Sequence, residues 1–397
     1  MSVTFPRGFR AAGVTAGMKP SGRPDLALLV ADEARSAAGL FTTNAFAAAP
    51  VKLSRQRLSH GVARAVLVNS GQANAGTGLV GDLDAERSTG AAAELLDLEA
   101  DAVLACSTGV IGEPLHLDQL LAALPDLVGS LSEEGGDAFA EAIMTTDTTP
   151  KQAKAERGPY RVGGCAKGVG MIAPDLRLAT MLTFVTTDAP VPPSDLRTLA
   201  SHVLEPKFES LTVDGCTSTN DTVLLFASGA VGGDLVVPDT PAWDQVREAL
   251  DDVGSSLLLQ LADDAEGASH VILVEVSGAE TDGDARAVAR ALADSLLVKT
   301  AVFGGDPNPG RILQAVGSSG VPFLPQLVNA FIGDVQVITR GEIPAAYREA
   351  GVEAARAAVS EKEVVLSVSV GNGPGESRAL GVDLSYDYVK INAEYTT

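Results

Sequence analysis

Thr180 is followed by a run, Met181 to Thr187, that is mostly apolar or β-branched and closes on the turn signal Asp188-Ala189-Pro190. This reads as a buried strand with a threonine at its first position. A threonine hydroxyl is a weak nucleophile at neutral pH and needs an adjacent base, yet no histidine lies nearby in the sequence. Scission of the Ala179-Thr180 bond would supply one without a second side chain. The α-amine so released has a reference pKa of about 7.7 to 8.0 and sits on the same residue as the hydroxyl. Ala179 is small enough to let the hydroxyl approach the preceding carbonyl, and the loop Gly168 to Pro174 is a place where backbone strain could favour an N-to-O acyl shift. On the residues alone, a β-branched threonine opening an ordinary strand is the commoner case.

Other chemistries fit less well. Three cysteines, Cys106, Cys165 and Cys216, are widely separated, and four histidines, His60, His116, His202 and His270, show neither HxxxH nor HExxH spacing. A metal centre and a serine-histidine-aspartate triad are therefore not expected. GGDPNPGR (304 to 311) lacks the GK[ST] ending of a Walker loop, and GNGPG (371 to 375) follows a strand without opening a clear helix. The formal charge of −22 comes with no basic cluster, which argues against nucleic acid and anionic membrane as partners. No apolar run approaches the roughly 18 residues of a membrane span, and the N-terminus MSVTFPRGFR lacks the apolar centre of a secretory signal. The expected setting is cytoplasmic.

The elements that must position these residues alternate along 397 residues, a length that suggests two or three units. Strands are predicted at 26–30, 65–69, 221–228, 270–277, 334–339 and 363–370, and alanine-rich amphipathic helices at 85–98, 118–131, 194–204, 241–262, 284–295 and 344–359. Asp118 and Ser194 are candidate N-caps, and Pro241 suits a first helical turn. This pattern is a mixed α/β fold with helices on sheet layers. The polar break 277–285 divides a core, 1–282, from a C-terminal α/β domain, 283–397. Six loops are rich in Gly, Asn, Ser and Thr: 69–78, 106–112, 144–151, 166–174, 214–222 and 304–311. Each taken singly is a turn.

Taken together, KGVGMIAP with ATML, CSTGVIG, MTTDTTPK, DGCTSTNDT, DAEGA, LVKTA and the ending YDYVKINAEYTT resemble, in order and over nearly the whole chain, the ornithine acetyltransferase family. These are the glutamate N-acetyltransferases of arginine biosynthesis. The resemblance implies a layered helix-sheet-sheet-helix core shared by two self-cleaved chains, 1–179 and 180–397, that stay together, with an α₂β₂ heterotetramer as the assembly. It implies that Thr180 takes the acetyl group from N-acetylornithine as an ester and passes it to glutamate by ping-pong transfer. Thr108 and Gly109 then correspond to the oxyanion hole, although the tripeptide Ser107-Thr108-Gly109 alone reads as a strand-end turn. Thr145, Lys167, Thr180, Glu266, Asn392 and Thr397 correspond to substrate contacts. No cofactor is implied; acetyl-CoA enters only as a further substrate that some members accept. Three positions depart from the family pattern: Pro309 where a tryptophan is common, a spacer DLRL before Ala179 that is two residues longer, and Gly76 where a cysteine is frequent. Two other readings stay open, a self-cleaving aminopeptidase or amidase with water as acceptor, and an uncleaved amino-acid-binding protein.

Overall fold

The computed structural model describes residues 2–33, 36–173 and 181–394. The chain divides into two compact units, the first holding the residues up to Glu209 together with Cys216–Leu261, the second holding Ser210–Gly215 together with the residues from Ala262 to the last one described.

The first unit contains β1 (Phe9–Val14), β2 (Leu26–Ala31), β3 (Ser36–Phe41), β4 (Ala65–Gln72), β5 (Val103–Val110), β6 (Lys151–Arg157), β7 (Tyr160–Lys167) and β8 (Leu182–Thr187). The short β9 (Leu211–Thr212) belongs to the second unit, and β10 (Thr222–Ala227) returns to the first. The strands of the first unit form two sheets, ordered β1-β2-β4-β5 and β3-β10-β8-β7-β6. Every residue of β2, LALLVA, is buried. Ala27, Leu29 and Ala31 face an inner core shared with Phe184, Leu224 and Phe226 of the other sheet. Leu26, Leu28 and Val30 face an outer core with Leu120, Leu124 and Leu127 of the helix Leu117–Gly129. The two-residue period of a strand thus divides one apolar run between two layers. On the far sheet, Gly164 of β7 lies against Val253 and Leu257 of the helix Pro241–Asp263. The result is the layered helix-sheet-sheet-helix core that the family resemblance implies.

The second unit is a six-stranded sheet, ordered β13-β12-β14-β11-β15-β9, with β11 (Val271–Ala279), β12 (Asn329–Ile332), β13 (Val335–Ile338), β14 (Glu363–Ser369) and β15 (Gly375–Val382). Here β11 alternates, with Ile272, Val274 and Val276 buried against Val288 and Leu292 of the helix Asp282–Ala293. Because β11 pairs with β14 and β15, it joins this sheet, and the polar break 277–285 is the turn from β11 into that helix. The sequence boundary at 282/283 therefore falls inside the second unit.

Both cap assignments need correction. The helix carrying Asp118 begins at Leu117 with His116 as its cap, and the helix carrying Ser194 begins at Pro193 with Pro192 as its cap. A proline at the first helical position draws that start one residue earlier. Pro241 does open its helix. Pro309 takes the same first-turn place in the helix Pro309–Gly317, whose cap Asn308 accepts the Arg311 amide at 3.2 Å. Among the described residues no helix is long and apolar enough to cross a membrane.

Candidate active site

β4 and β5 run parallel, with Ser70 opposite Thr108 and Gly71 opposite Gly109. Gly109 has φ +129° and Gly71 φ +138°. A Cβ on Gly109 would lie 2.3 Å from the Gly71 carbonyl carbon and oxygen, so only glycine lets the two backbones come this close. Thr108 and Gly109 are thus part of the strand rather than a turn beyond it.

Lys167, the last residue of β7, donates from Nζ to the Thr108 hydroxyl oxygen at 3.1 Å, and both residues are buried. A hydroxyl that accepts from an ammonium keeps its own hydrogen for another acceptor. Thr108 can therefore present an O–H donor beside the glycine backbone, with a lysine charge behind it. That is the equipment for stabilising a developing oxyanion.

Asp147 organises the adjoining loops. Its Oδ1 accepts Lys151 Nζ at 2.7 Å and the Gly168 amide at 2.8 Å, and its Oδ2 accepts the Thr145 amide at 3.0 Å. Burial would raise this carboxyl, but the charges of Lys167 and Lys151 outweigh it and hold the pKa at about 2. The Thr145 loop and the glycine after Lys167 are thereby pinned to one fixed anion. Lys19, close to this group, is lowered to about 8 chiefly by burial, with Asp25 opposing and Arg23 and Lys167 reinforcing the shift.

The amide that follows Thr180 is held as firmly. Met181 donates to Asp221 Oδ1 at 2.8 Å, and its carbonyl accepts the Thr222 amide at 3.0 Å, where β8 and β10 run parallel. Asn220 joins three of the polar loops, its Nδ2 donating to Ser107 O at 2.8 Å and Ala73 O at 2.6 Å. Ala179 and Thr180 lie outside the described residues, as does Thr397.

In the second unit, Asn392 on the helix Tyr386–Glu394 donates from Nδ2 to Glu266 Oε2 at 3.0 Å. Gly267, with φ +66°, lets that helix lie against it, since a Cβ there would sit 2.3 Å from the Tyr388 nitrogen. Tyr388 in turn donates to Asp214 Oδ2 at 3.2 Å. Lys299 of the LVKTA motif is buried and donates to Val213 O at 2.6 Å.

The structure thus brings the buried Thr108 and Lys167 together beside the half-buried Gly109 and, through Asp147, links the half-buried Thr145 to them, and it pairs Glu266 with Asn392 in the other unit. Asp147, Lys151 and Asp221 escaped sequence reasoning. The only sign of them was an acid within a threonine-rich motif, which also describes a turn. Alternative nucleophiles fare poorly. Burial pushes the Cys106 and Cys165 thiols up, which removes the thiolate. Ser269, His270 and Asp383 do cluster, but Ser269 Oγ and Asp383 Oδ2 both meet His270 Nδ1 at 2.9 Å. A relay needs the two ring nitrogens separately, so this is not a triad. Among the described residues no group of three or more His, Cys, Asp or Glu side chains is placed to hold a metal ion.

Comparison with known proteins is consistent across the whole chain. A sequence model of the ArgJ family matches residues 10–397. The "Arginine biosynthesis bifunctional protein ArgJ" of Thermosynechococcus vestitus is 46% identical over 411 aligned positions, covering 100% of this chain and 98% of the relative. The protein of the same name from Symbiobacterium thermophilum is 46% identical over 401 positions with the same coverage. The crystal structure of the arginine biosynthesis bifunctional protein from Bacillus halodurans superposes with a TM-score of 0.51 at 39% identity, covering 53% of this chain and 98% of that one.

Proposed function

The chain belongs to the ArgJ family, and from that premise we propose that it is a glutamate N-acetyltransferase of arginine biosynthesis that moves acetyl from N-acetylornithine to glutamate through an acyl ester on Thr180. The observation that carries this reading is the buried pair Lys167 and Thr108 beside the half-buried Gly109, in the same unit as the strand that begins two residues after Thr180. That a solved relative's chain is covered at 98% by 53% of this one supports scission near the middle, at Ala179-Thr180.

The released α-amine takes the Thr180 hydroxyl proton as the Oγ–C bond to the acetyl carbon forms. The tetrahedral oxyanion is met by the Thr108 hydroxyl and the Gly109 amide. Collapse breaks the bond from carbon to the ornithine nitrogen, which leaves with the proton. Glutamate's amine then attacks the ester, the C–Oγ bond breaks, and the hydroxyl of Thr180 is restored. Lys167 and Thr145 serve the donor from the first unit. Glu266 offers a carboxylate to the cationic end of ornithine, and Asn392 and Thr397 complete the substrate contacts. No cofactor takes part in these steps. Acetyl-CoA enters the proposal only as a possible second acetyl donor, a substrate and not a cofactor. A cytoplasmic α₂β₂ assembly of the two cleaved chains completes the proposal.

Mass spectrometry of the purified protein tests the scission, and Thr180→Ala tests the nucleophile. The variant should remain one chain and lose transfer entirely; full transfer by it would overturn the assignment. Supplying N-acetylornithine with and without glutamate separates transfer, which requires the acceptor, from hydrolysis, which does not.

A further inference from the structure

Lys19 lies in the loop between β1 and β2 and takes no part in the reaction as described. The fold nevertheless holds its backbone firmly. Asp25, wholly buried, accepts the Ala16 and Met18 amides at 2.6 Å and the Lys19 amide at 2.9 Å. The Met18 carbonyl accepts Gln72 Nε2 at 3.0 Å and rests against Gly71, where a Cβ would come within 3.1 Å of it. Gly71 is also the residue on which Gly109 packs. The loop is therefore fitted to the strand pair that carries Thr108 and Gly109.

The side chain leads to the same place. Lys19 Nζ donates to Pro24 O at 2.6 Å and, more weakly, to Ala142 O at 3.4 Å. Ala142 O also accepts the Ser70 hydroxyl at 2.5 Å, and Ser70 is the ladder partner of Thr108. One shared carbonyl thus separates the ammonium from the residue opposite Thr108, and Lys167 and Asp147 both act on its charge. Its two bonds go to neutral oxygens. Among the described residues no carboxylate comes within ion-pairing distance of this ammonium.

The neighbouring acids are already engaged. Asp25 serves three amides, while Asp147 serves Lys151 and two amides and also answers the charge of Lys167. A half-buried ammonium without a counter-ion carries a desolvation penalty that an incoming anion would offset. In a chain of net charge −22 this is a local excess of positive charge beside Thr108. Burial lowers the lysine to about 8, with Asp25 opposing the shift, so at neutral pH it stays mostly protonated.

The substrates of the proposed reaction share one anion. N-acetylornithine and glutamate both react at the α-nitrogen, so each holds its α-carboxylate at the same separation from the reacting centre, whereas their side chains end in opposite charges. A single fixed cation can read both. Resting on the acetyltransferase reading, we propose that Lys19 is a specificity-determining residue whose ammonium binds the α-carboxylate of N-acetylornithine in the first half-reaction and of glutamate in the second.

The test is Lys19→Gln in the full chain, with N-acetylornithine or its α-carboxamide as donor and glutamate as acceptor. Glutamine keeps a donor for the Pro24 carbonyl and removes the charge. Loss of a charged hydrogen bond lowers affinity about 10- to 100-fold. KM for N-acetylornithine and for glutamate should both rise by that factor, with kcat held within about threefold. The wild type should prefer the acid donor to the amide by a similar factor, and the variant should barely distinguish them. A purely structural lysine would leave that preference in place. A folded variant that keeps the wild-type preference overturns the proposal, as does a rise in KM for only one of the two substrates. Should Lys19→Gln fail to fold, the acid-to-amide ratio of Lys19→Met decides in the same terms, and collapse of both variants assigns Lys19 to the fold and overturns it. The wild-type assay separates the two ideas: glutamate-dependent transfer leaves only the Lys19 proposal at stake, whereas absence of transfer to glutamate sinks both.

Discussion

Asp147 and Glu266 both sit in short motifs that sequence alone reads as polar loops, and their surroundings are opposite. Asp147 is 2% exposed and faces Lys151, which is 1% exposed, with two backbone amides completing its bonds. Glu266 is only partly buried, and its partner Asn392 is exposed on a helix near the end of the chain. The two units differ in a similar way: β2 of the first is buried on both faces, whereas β11 of the second buries alternate residues. A buried charge held by fixed donors is little screened by water and fixed in direction, so it sets up a site before substrate arrives. A half-exposed amide-carboxylate pair exchanges partners at little cost, which suits recognition. Under the function proposed above, the sealed charge suits the chemical step and the half-exposed pair suits substrate recognition.

The harshest trial of this contrast is Asp147→Asn. It leaves the Lys151 ammonium buried without its counter-charge, which typically costs about 3–5 kcal/mol. Urea unfolding should show that loss, and a change below about 1 kcal/mol would mean the pair is not sealed. Acid titration sharpens the point. A carboxyl held at about 2 against an ordinary 3.8 contributes stability that is fully present above about pH 4 and is lost as the pH falls through 2. The wild type should therefore weaken steeply over that window, and the variant should show a shallower slope there.

Next in size is Thr108→Val, which keeps the shape and removes the hydroxyl. Loss of one oxyanion donor lowers kcat about 100- to 1000-fold. KM for N-acetylornithine should change little, because the oxyanion exists only in the transition state. A fall in affinity with kcat intact would reassign Thr108 to ground-state binding.

The contrast also explains what the sequence could disclose. Strands β2, β4, β10, β11 and β14 were readable because their apolar residues are large and either continuous or alternating. β3, SAAGLF, and β7, YRVGGCAK, were not, because facing layers demand small residues that blur the pattern. A Cβ on Gly163 would meet the Ser2 carbonyl oxygen at 1.9 Å, so that strand has room for nothing larger. β6, KQAKAER, is a polar edge strand and carries no apolar period. In the site, Lys167, Thr108 and Gly109 were reachable because whole motifs identified them. Asp147 and Asp221 were passed over because an aspartate among threonines is ordinarily a turn former, and burial, which turns each into a fixed hydrogen-bonding anchor, is a property of the fold and not of the local string.

The gentlest test lies in the second unit. Glu266→Gln keeps a hydrogen-bonding oxygen for Asn392 but removes the negative charge that the proposed function assigns to ornithine's side chain. Because the pair is half-exposed, folding stability should stay within about 0.5 kcal/mol of the parent. A lost ion pair to a substrate ammonium, partly screened by water, should raise KM for N-acetylornithine about 10-fold at low ionic strength, with a smaller rise as salt increases. The rate at saturating donor should hold, since the carboxylate does not touch the reacting carbon. The glutamate half-reaction supplies the control, because an acceptor without that cationic chain should show no salt-dependent rise. If Glu266→Gln instead depresses kcat as strongly as Thr108→Val, the carboxylate belongs with the chemistry, and the division of labour between the units fails.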